Sequence, residues 1–163
     1  AALIPGCDVV AVSIDKAQVY EWLAKVLDPE VPALSLVDLG IVRDVEIGVD
    51  DVVTVTLTPT YSGCPATEAI ETSVTEALKL RGVAEVEINR VLSPPWTTDW
   101  ITADGREKLR RYGIAPPSPS LEIACPQCES MNTERVSEFG STACKASWPC
   151  CHCLDRLEYF QCL

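Results

Sequence analysis

The sequence predicts an α/β (α+β) protein in which a small three-stranded sheet with helices is followed by a zinc-ribbon-like β module. Segments with helical and with alternating periodicity follow one another in the first half of the chain, in the order helix, strand, strand, helix, strand. Six of the nine cysteines fall between Cys125 and Cys153. This concentration marks a separate C-terminal part devoted to metal or thiol chemistry.

The first three elements are a helix and two strands. Apolar residues recur at i, i+3, i+4 and i+7 and define one helix face: Val19, Trp22, Leu23 and Val26. Ser13 and Asp15 are both possible N-caps of this helix, and Pro29 marks its end. Apolar and polar residues then alternate over 41–47 and 52–58. These two segments are predicted to be strands joined by a tight turn.

A second helix follows the strands and is predicted to run from Pro65 to near Gly82. Proline is favoured at the first helical position, so Cys64 is expected immediately before the helix. Val86 and Ile88 alternate with polar residues in a third strand. This strand can pair parallel to the second one through a right-handed crossover.

The composition changes over residues 93–120, which hold two tryptophans, several prolines and a short predicted helix over 102–112. The sequence therefore divides into a flexible start over 1–15, an α/β domain over 16–92, this connector, and the cysteine-rich module over 121–163.

Composition and charge exclude several classes of function. Thirteen Lys and Arg against 24 Asp and Glu give a net charge of -11, which opposes binding to nucleic acid or anionic lipid. No apolar run approaches the roughly 18 residues of a membrane-spanning helix. The first residues lack the pattern of a signal peptide, so a cytoplasmic setting is expected. The sequence also shows no catalytic triad and no phosphate-binding loop, and it predicts a protein that is not an enzyme.

Two Cys-x-x-Cys pairs with 21 residues between them predict a metal site in the C-terminal module. Their members are Cys125, Cys128, Cys150 and Cys153. Two residues between ligands make a tight turn that directs both thiolates at one ion, and the long intervening segment can return as a hairpin. Zinc is favoured over an iron–sulfur cluster. Other residues nearby are alternative ligands: Cys144, Cys151, His152 and Cys162.

Cys64 has two interpretations at this stage. A thiol at a helix N-terminus has a lowered pKa and favours the metal-binding thiolate, with Thr60 among the hydroxyl residues nearby. Alternatively, Cys64 is a small buried hydrophobic residue under a turn. Asp38 is either a metal or thiol partner of Cys64 or a residue that forms a turn.

Longer motifs resemble known families. Residues 28–32, 35–43 and 57–65 are similar to the domain shared by SufT-type proteins and eukaryotic cytosolic iron–sulfur assembly factors. Residues 95–116 and the cysteine motifs resemble the PaaD-type accessory proteins of bacterial phenylacetate degradation. Ser147-Trp148-Pro149 and the additional thiol of Cys151 depart from the usual PaaD pattern.

The resemblance implies a role beside the multicomponent phenylacetyl-CoA epoxidase, a di-iron oxygenase whose reductase component carries flavin and an iron–sulfur cluster. The protein would help mature that cluster, with Cys64 and Asp38 as functional residues, iron or a cluster bound transiently, and a structural zinc held by the four cysteines. The alternative is an adaptor subunit without metal transfer, which would dock through the ribbon, Trp96 and Trp100.

Overall fold

The structure is a computed structural model that describes residues 13–118, 122–142 and 144–161. Of the predicted flexible start, only residues 13–15 lie within the described part. The helices and strands in chain order are α1 (Lys16–Leu23), β1 (Val42–Ile47), β2 (Val52–Leu57), α2 (Thr67–Lys79), β3 (Glu85–Arg90), α3 (Ala103–Arg111), β4 (Ile114–Ala115), β5 (Lys145–Pro149) and β6 (Arg156–Phe160).

The first sheet has the predicted topology. Its strand order is β1-β2-β3, with β1 antiparallel to β2 and β2 parallel to β3. Along β2 the inward residues Val53 and Val55 are fully buried, while Thr54 and Thr56, which alternate with them, are half-buried. The helices α1 and α2 pack on this sheet through the buried side chains of Val19, Leu23 and Val74. The predicted order of elements and the parallel pairing are confirmed.

The helix α1 is shorter than the sequence pattern predicts. Asp15, and not Ser13, is the N-cap, and its carboxylate accepts a hydrogen bond from the Gln18 backbone while the Gln18 side chain accepts one from Asp15. The helix ends at Leu23, because beyond the Ala24 cap the amides of Lys25 and Val26 bond three residues back and form turns. The predicted extension through Val26 was therefore wrong.

The start of α2 also differs from the prediction. The helix begins at Thr67, with Ala66 as N-cap, so Pro65 precedes the helix and Cys64 is not immediately before it. The Cys64 carbonyl accepts hydrogen bonds from the Thr67 backbone at 3.2 Å and from the Thr67 hydroxyl at 2.8 Å. These bonds hold a separate turn ahead of the helix.

The connector contains the predicted short helix, α3, with Thr102 as its N-cap. It also supplies β4, which pairs parallel to β6 in a second sheet of order β4-β6-β5. A strand of only two residues has no periodicity, so no sequence pattern indicated it. The ribbon hairpin β5–β6 is thus extended by a segment that comes before the cysteine motifs.

The two sheets are joined by a shared core. Phe160, at the end of β6, is buried against the first sheet and meets Trp96 edge-on at 5.9 Å between ring centroids. The Trp96 indole donates a hydrogen bond of 2.7 Å to the Leu39 carbonyl. Trp96 is only 5% exposed. The Arg43 guanidinium covers the Trp100 ring, with its central carbon 3.6 Å from the ring centroid. The expectation that Trp96 docks a partner was therefore wrong, because its side chain is part of the core.

Within the described ranges, none of the helices is long and apolar enough to cross a membrane.

Two glycines with positive φ give a matched test of the packing between the first sheet and the connector. A Cβ at Gly40 (φ +72) would lie 2.6 Å from the Trp100 carbonyl oxygen, whereas one at Gly82 (φ +93) would meet nothing within 4 Å. Gly82→Ala is expected to cost about 1–2 kcal/mol from backbone strain alone. Gly40→Ala is expected to cost roughly 1–3 kcal/mol more, because the backbone of Trp100 must move. Urea unfolding of both variants measures the difference; equal losses would contradict the close contact.

Candidate functional site

The four cysteines of the Cys-x-x-Cys pairs meet at one point. Their Sγ atoms all lie within 4.8 Å of one another, with 3.7 Å between Cys125 and Cys153 and 3.6 Å between Cys128 and Cys150. We call these four residues the ribbon quartet. The structure thus brings together the four thiols that the spacing predicted.

Two loops of the same shape place these thiols. The Cys125 carbonyl accepts a hydrogen bond from Glu129 at 2.8 Å, and the Cys150 carbonyl accepts one from Leu154 at 3.0 Å. Glu129 and Leu154, each four residues after a cysteine, both have positive φ. The amides of Cys125 and Cys150 in turn bond to the carbonyls five residues ahead. Each loop is therefore closed by hydrogen bonds of its own backbone.

The distances in the ribbon quartet fit a single ion. Four thiolates about 2.3 Å from a tetrahedral zinc lie about 3.8 Å apart, close to the two short sulfur–sulfur distances of the site. In an iron–sulfur cluster the thiolates bind different irons and are spread more widely. Hydrogen bonds from the backbone amides of Cys153 and His152 lower the pKa of the Cys150 thiol to about 6, although burial acts in the opposite direction. The loop amides therefore favour the thiolate of Cys150, which is the form that binds metal.

The alternative ligands within the described residues are not part of the ribbon quartet. Cys144 is buried in the core of the first sheet, while Cys151 and His152 are exposed. Cys162 is outside the described residues. Among the residues the structure describes, the ribbon quartet is the one group of three or more Cys, His, Asp or Glu whose ligand atoms are all this close.

Cys64 is both buried and next to a cleft. Its side chain is 8% exposed, and its amide donates a hydrogen bond of 3.3 Å to the Tyr61 carbonyl. A cleft of about 350 Å³ is lined by Cys64 together with Pro59, Pro65 and Arg90. Thr60 is half-buried in the same loop. Both interpretations of the thiol keep support, since it is packed like a core residue but faces a cavity that a small ligand can enter.

Asp38 forms a turn and an ion pair. Its carboxylate accepts a hydrogen bond from the Ser35 backbone at 3.1 Å and one from the Lys108 ammonium of α3 at 2.8 Å, and its carbonyl accepts one from Thr102. Partial burial raises the pKa of the Asp38 carboxyl, but the bonds from Lys108 and Ser35 outweigh it and bring the pKa below its usual value. The structure therefore gives Asp38 a position that ties the connector to the first sheet; its predicted relation to Cys64 stays a prediction.

Sequence reasoning missed two acidic side chains beside Cys144. Asp28 caps a turn by accepting bonds of 2.8 Å from the amides of Glu30 and Val31. Glu30 lies with its Oε2 3.7 Å from the Cys144 Sγ. Burial raises the pKa of both carboxyl groups. A pairing across 114 positions leaves no periodic signal, and only the Asp-Pro-Glu motif drew attention to this loop.

Comparisons with known proteins agree with this two-part architecture. Residues 16–88 match the model of a family described as iron-sulfur cluster assembly protein, and residues 114–161 match that of the PaaD zinc beta ribbon domain. The chain is 44% identical to a protein of Escherichia coli (strain K12) over 90% of this chain and 92% of the relative. The chain belongs to the PaaD family. The Escherichia coli relative is provisionally named as one of the subunits of 1,2-phenylacetyl-CoA epoxidase.

Other relatives correspond to the first sheet and its helices. The Fe-S protein maturation auxiliary factor YitW of Bacillus subtilis (strain 168) is 36% identical over 60% of this chain and 87% of its own length. A crystal structure of a domain of unknown function from Bacillus anthracis superposes with a TM-score of 0.54 at 31% identity, over 58% of this chain and 90% of that one. The predicted family and fold class are confirmed.

The geometry of the ribbon quartet predicts that removal of a quartet thiol and removal of the nearby Cys151 thiol have opposite effects on metal binding. Cys125→Ala is expected to abolish stable metal binding by the ribbon and to unfold it, because a buried ligand is lost and the ribbon core is small. Cys151→Ala, which removes an exposed thiol, is expected to keep the metal. Elemental analysis of both variants after gel filtration, with near-ultraviolet circular dichroism as the folding measure, decides the point. Full metal content in Cys125→Ala would exclude this cysteine as a ligand.

The Asp38–Lys108 pair predicts a pH-dependent contribution to stability. Because the pKa of folded Asp38 is below its usual value, the contribution is complete above about pH 4 and is lost as the pH falls through the folded pKa. Asp38→Asn is expected to reduce the free energy of unfolding at neutral pH by about 1.5–3 kcal/mol, and this deficit should shrink below about pH 4. Urea unfolding between pH 3 and 7 measures it, with the exposed Asp50→Asn as control. A deficit independent of pH would show that the charge of Asp38 contributes nothing.

Proposed function

We propose that this protein is a non-catalytic accessory factor of a phenylacetyl-CoA epoxidase and that it matures the iron–sulfur cluster of the reductase component. One observation carries the proposal: a domain of the iron–sulfur assembly family, with a thiol on the wall of a cleft, is packed in one chain against a PaaD-type ribbon. The Escherichia coli relative, which matches over 90% of this chain, links the chain to the epoxidase, and the first domain links it to maturation factors.

The two cysteine sites have different tasks in this proposal. The ribbon quartet holds a zinc ion that stabilises a module with a small core of its own. Cys64 binds iron or a cluster only in passage, as cargo for the client. Cys64 is nearly buried and lies on the wall of a cleft, and this position supports the role. A small ion can reach the thiol there, whereas larger reactants cannot.

The partners in this proposal are proteins, the epoxidase components and above all the reductase, and the setting is the cytoplasm. The net charge of -11 argues against a nucleic-acid partner. A second candidate function is an adaptor subunit without metal transfer. It is favoured by large apolar side chains that the ribbon exposes: Met131, Val136, Phe139 and Leu154.

Production of the reductase in cells that lack or contain this protein tests the proposal. Without the protein, and equally with Cys64→Ser, the purified reductase is expected to have little iron and labile sulfide and low activity with an artificial electron acceptor. Serine has nearly the size of cysteine, so this variant should fold, which circular dichroism verifies. The control Cys151→Ser removes an exposed thiol and should leave reductase maturation unchanged.

Two results would contradict the proposal in different ways. A reductase with its full cluster content in the absence of the protein would exclude maturation and leave the adaptor role. Normal maturation with Cys64→Ser would show that this thiol is only a core residue, even if the protein itself is required.

A further inference from the structure

A second cleft, with a volume of about 530 Å³, lies where the connector meets the ribbon. It is lined by α3, by residues 115–118, and by the first cysteine loop with Cys125 and Pro126. It shares no lining residue with the cleft beside Cys64, and all of its lining lies after residue 88, where the match to the iron–sulfur assembly family ends. We call it the connector cleft. It belongs to the PaaD-type part of the chain.

The basic residues of α3 fall into two groups. Lys108 and Arg111 each pair with a carboxylate, and neither lines the connector cleft. Arg106 and Arg110 both line it, and within the described part of the chain neither forms an ion pair. These two residues are four positions apart and therefore lie on the same side of the helix. The uncompensated positive charge of α3 is thus concentrated at the connector cleft.

Neutral groups hold the Arg106 side chain in place. Its Nη1 donates a hydrogen bond of 2.9 Å to the Pro117 carbonyl, and its Nη2 donates one of 2.9 Å to the Thr98 carbonyl. A guanidinium has five N–H donors, so these two bonds leave three for a ligand. Arg110 is exposed. The helix therefore presents two guanidinium groups, one of them already oriented, to an anion in the cleft.

The rest of the lining is apolar with two acidic residues. Pro116, Ile123 and Met131 supply apolar surface, and the Met131 side chain is 53% exposed. Glu122 and Glu129 are exposed members of the same lining. Their charges would repel a ligand with many negative groups. A single carboxylate next to apolar groups therefore fits the cleft better than a run of acidic residues does.

We propose that the connector cleft docks an extended segment of a partner protein, which brings one Asp or Glu side chain to Arg106 and Arg110 and an apolar side chain to Met131. This inference rests on the proposed function, in which the partner is an epoxidase component, above all the reductase. Arginine binds a carboxylate through parallel, charge-assisted hydrogen bonds. Several residues of the lining are exposed, which suits a protein segment lying across the cleft, since a small-molecule site encloses most of its ligand.

Binding of the purified reductase to the full-length, zinc-containing protein tests the charge contact. Arg110→Gln is expected to raise the Kd about tenfold or more, because a hydrogen-bonded charge pair is lost. Arg81→Gln, the matched control, removes the same charge from an exposed arginine outside the cleft and should leave the Kd unchanged. Binding to the wild type should weaken as sodium chloride is added, and binding to Arg110→Gln should depend less on salt.

A second pair of variants tests the cleft without removing a charge. Ala103, the exposed first residue of α3, lines the cleft, so Ala103→Trp is expected to fill it and to weaken reductase binding at least about tenfold. Ala84→Trp places the same side chain at an exposed position outside the cleft and should bind like the wild type. Zinc content and circular dichroism verify that every variant is folded.

Four results would overturn the inference. They are unchanged reductase binding in the folded Arg110→Gln and Ala103→Trp variants, equal losses in the variants and their controls, equal salt dependence with and without Arg110, and no binding of any epoxidase component to the wild type. Analytical ultracentrifugation adds a further one. If the cleft variants lose self-association and keep reductase binding, the cleft belongs to an interface with a second copy of this chain.

The proposed function can fail independently. If the cleft variants lose reductase binding but the reductase acquires its full cluster in cells without this protein, the docking surface exists and serves an adaptor. If Cys64→Ser abolishes maturation while both cleft variants bind and mature the reductase like the wild type, the proposed function stands and the docking inference is wrong.

Discussion

The packing of Phe160 and Trp96 is the interaction on which the relation between the two halves depends. Phe160 ends β6 and is buried in the core of the first sheet, where Trp96 is fixed by its hydrogen bond to Leu39. β6 pairs with β5, so this contact also fixes where β5 begins. Cys144 immediately precedes β5 and Cys150 immediately follows it. One strand of five residues, about 17 Å long, therefore connects the core of the first sheet with the ribbon quartet.

A second connection passes through the connector. Lys108 of α3 pairs with Asp38, the Thr102 amide bonds to the Asp38 carbonyl, and the Arg43 guanidinium covers Trp100. The helix that carries Lys108 leads directly into β4, which pairs with β6. The ribbon sheet is thus attached at two places. The end of β6 packs through the buried Phe160–Trp96 contact, and β4 follows α3, which is bonded to Asp38. Such a doubly attached module has little freedom to move relative to the first sheet, which keeps Cys144 beside Glu30.

Local patterns in the sequence predicted local structure well. Alternation gave β1, β2 and β3 with nearly the observed bounds, and the spacing of the cysteines gave the ribbon quartet, because each depends on neighbours along the chain. Contacts between distant segments left no such signal. Asp38 meets Lys108 across 70 positions and Glu30 meets Cys144 across 114. Cys144 was assigned to the ribbon because of its place in the chain, whereas burial against the first sheet decides its surroundings.

The two thiol sites differ in how many ligands each offers. The ribbon quartet has four thiols within 4.8 Å of one another, on two loops that are each closed by backbone hydrogen bonds. Cys64 is a single thiol on the wall of a cleft, and among the described residues it is not part of such a group. Four convergent thiolates retain an ion more strongly than one thiolate does, and the cleft beside Cys64 leaves a route outward. In the proposed function, this difference allows the protein to retain one metal for its own stability and to pass another to its client.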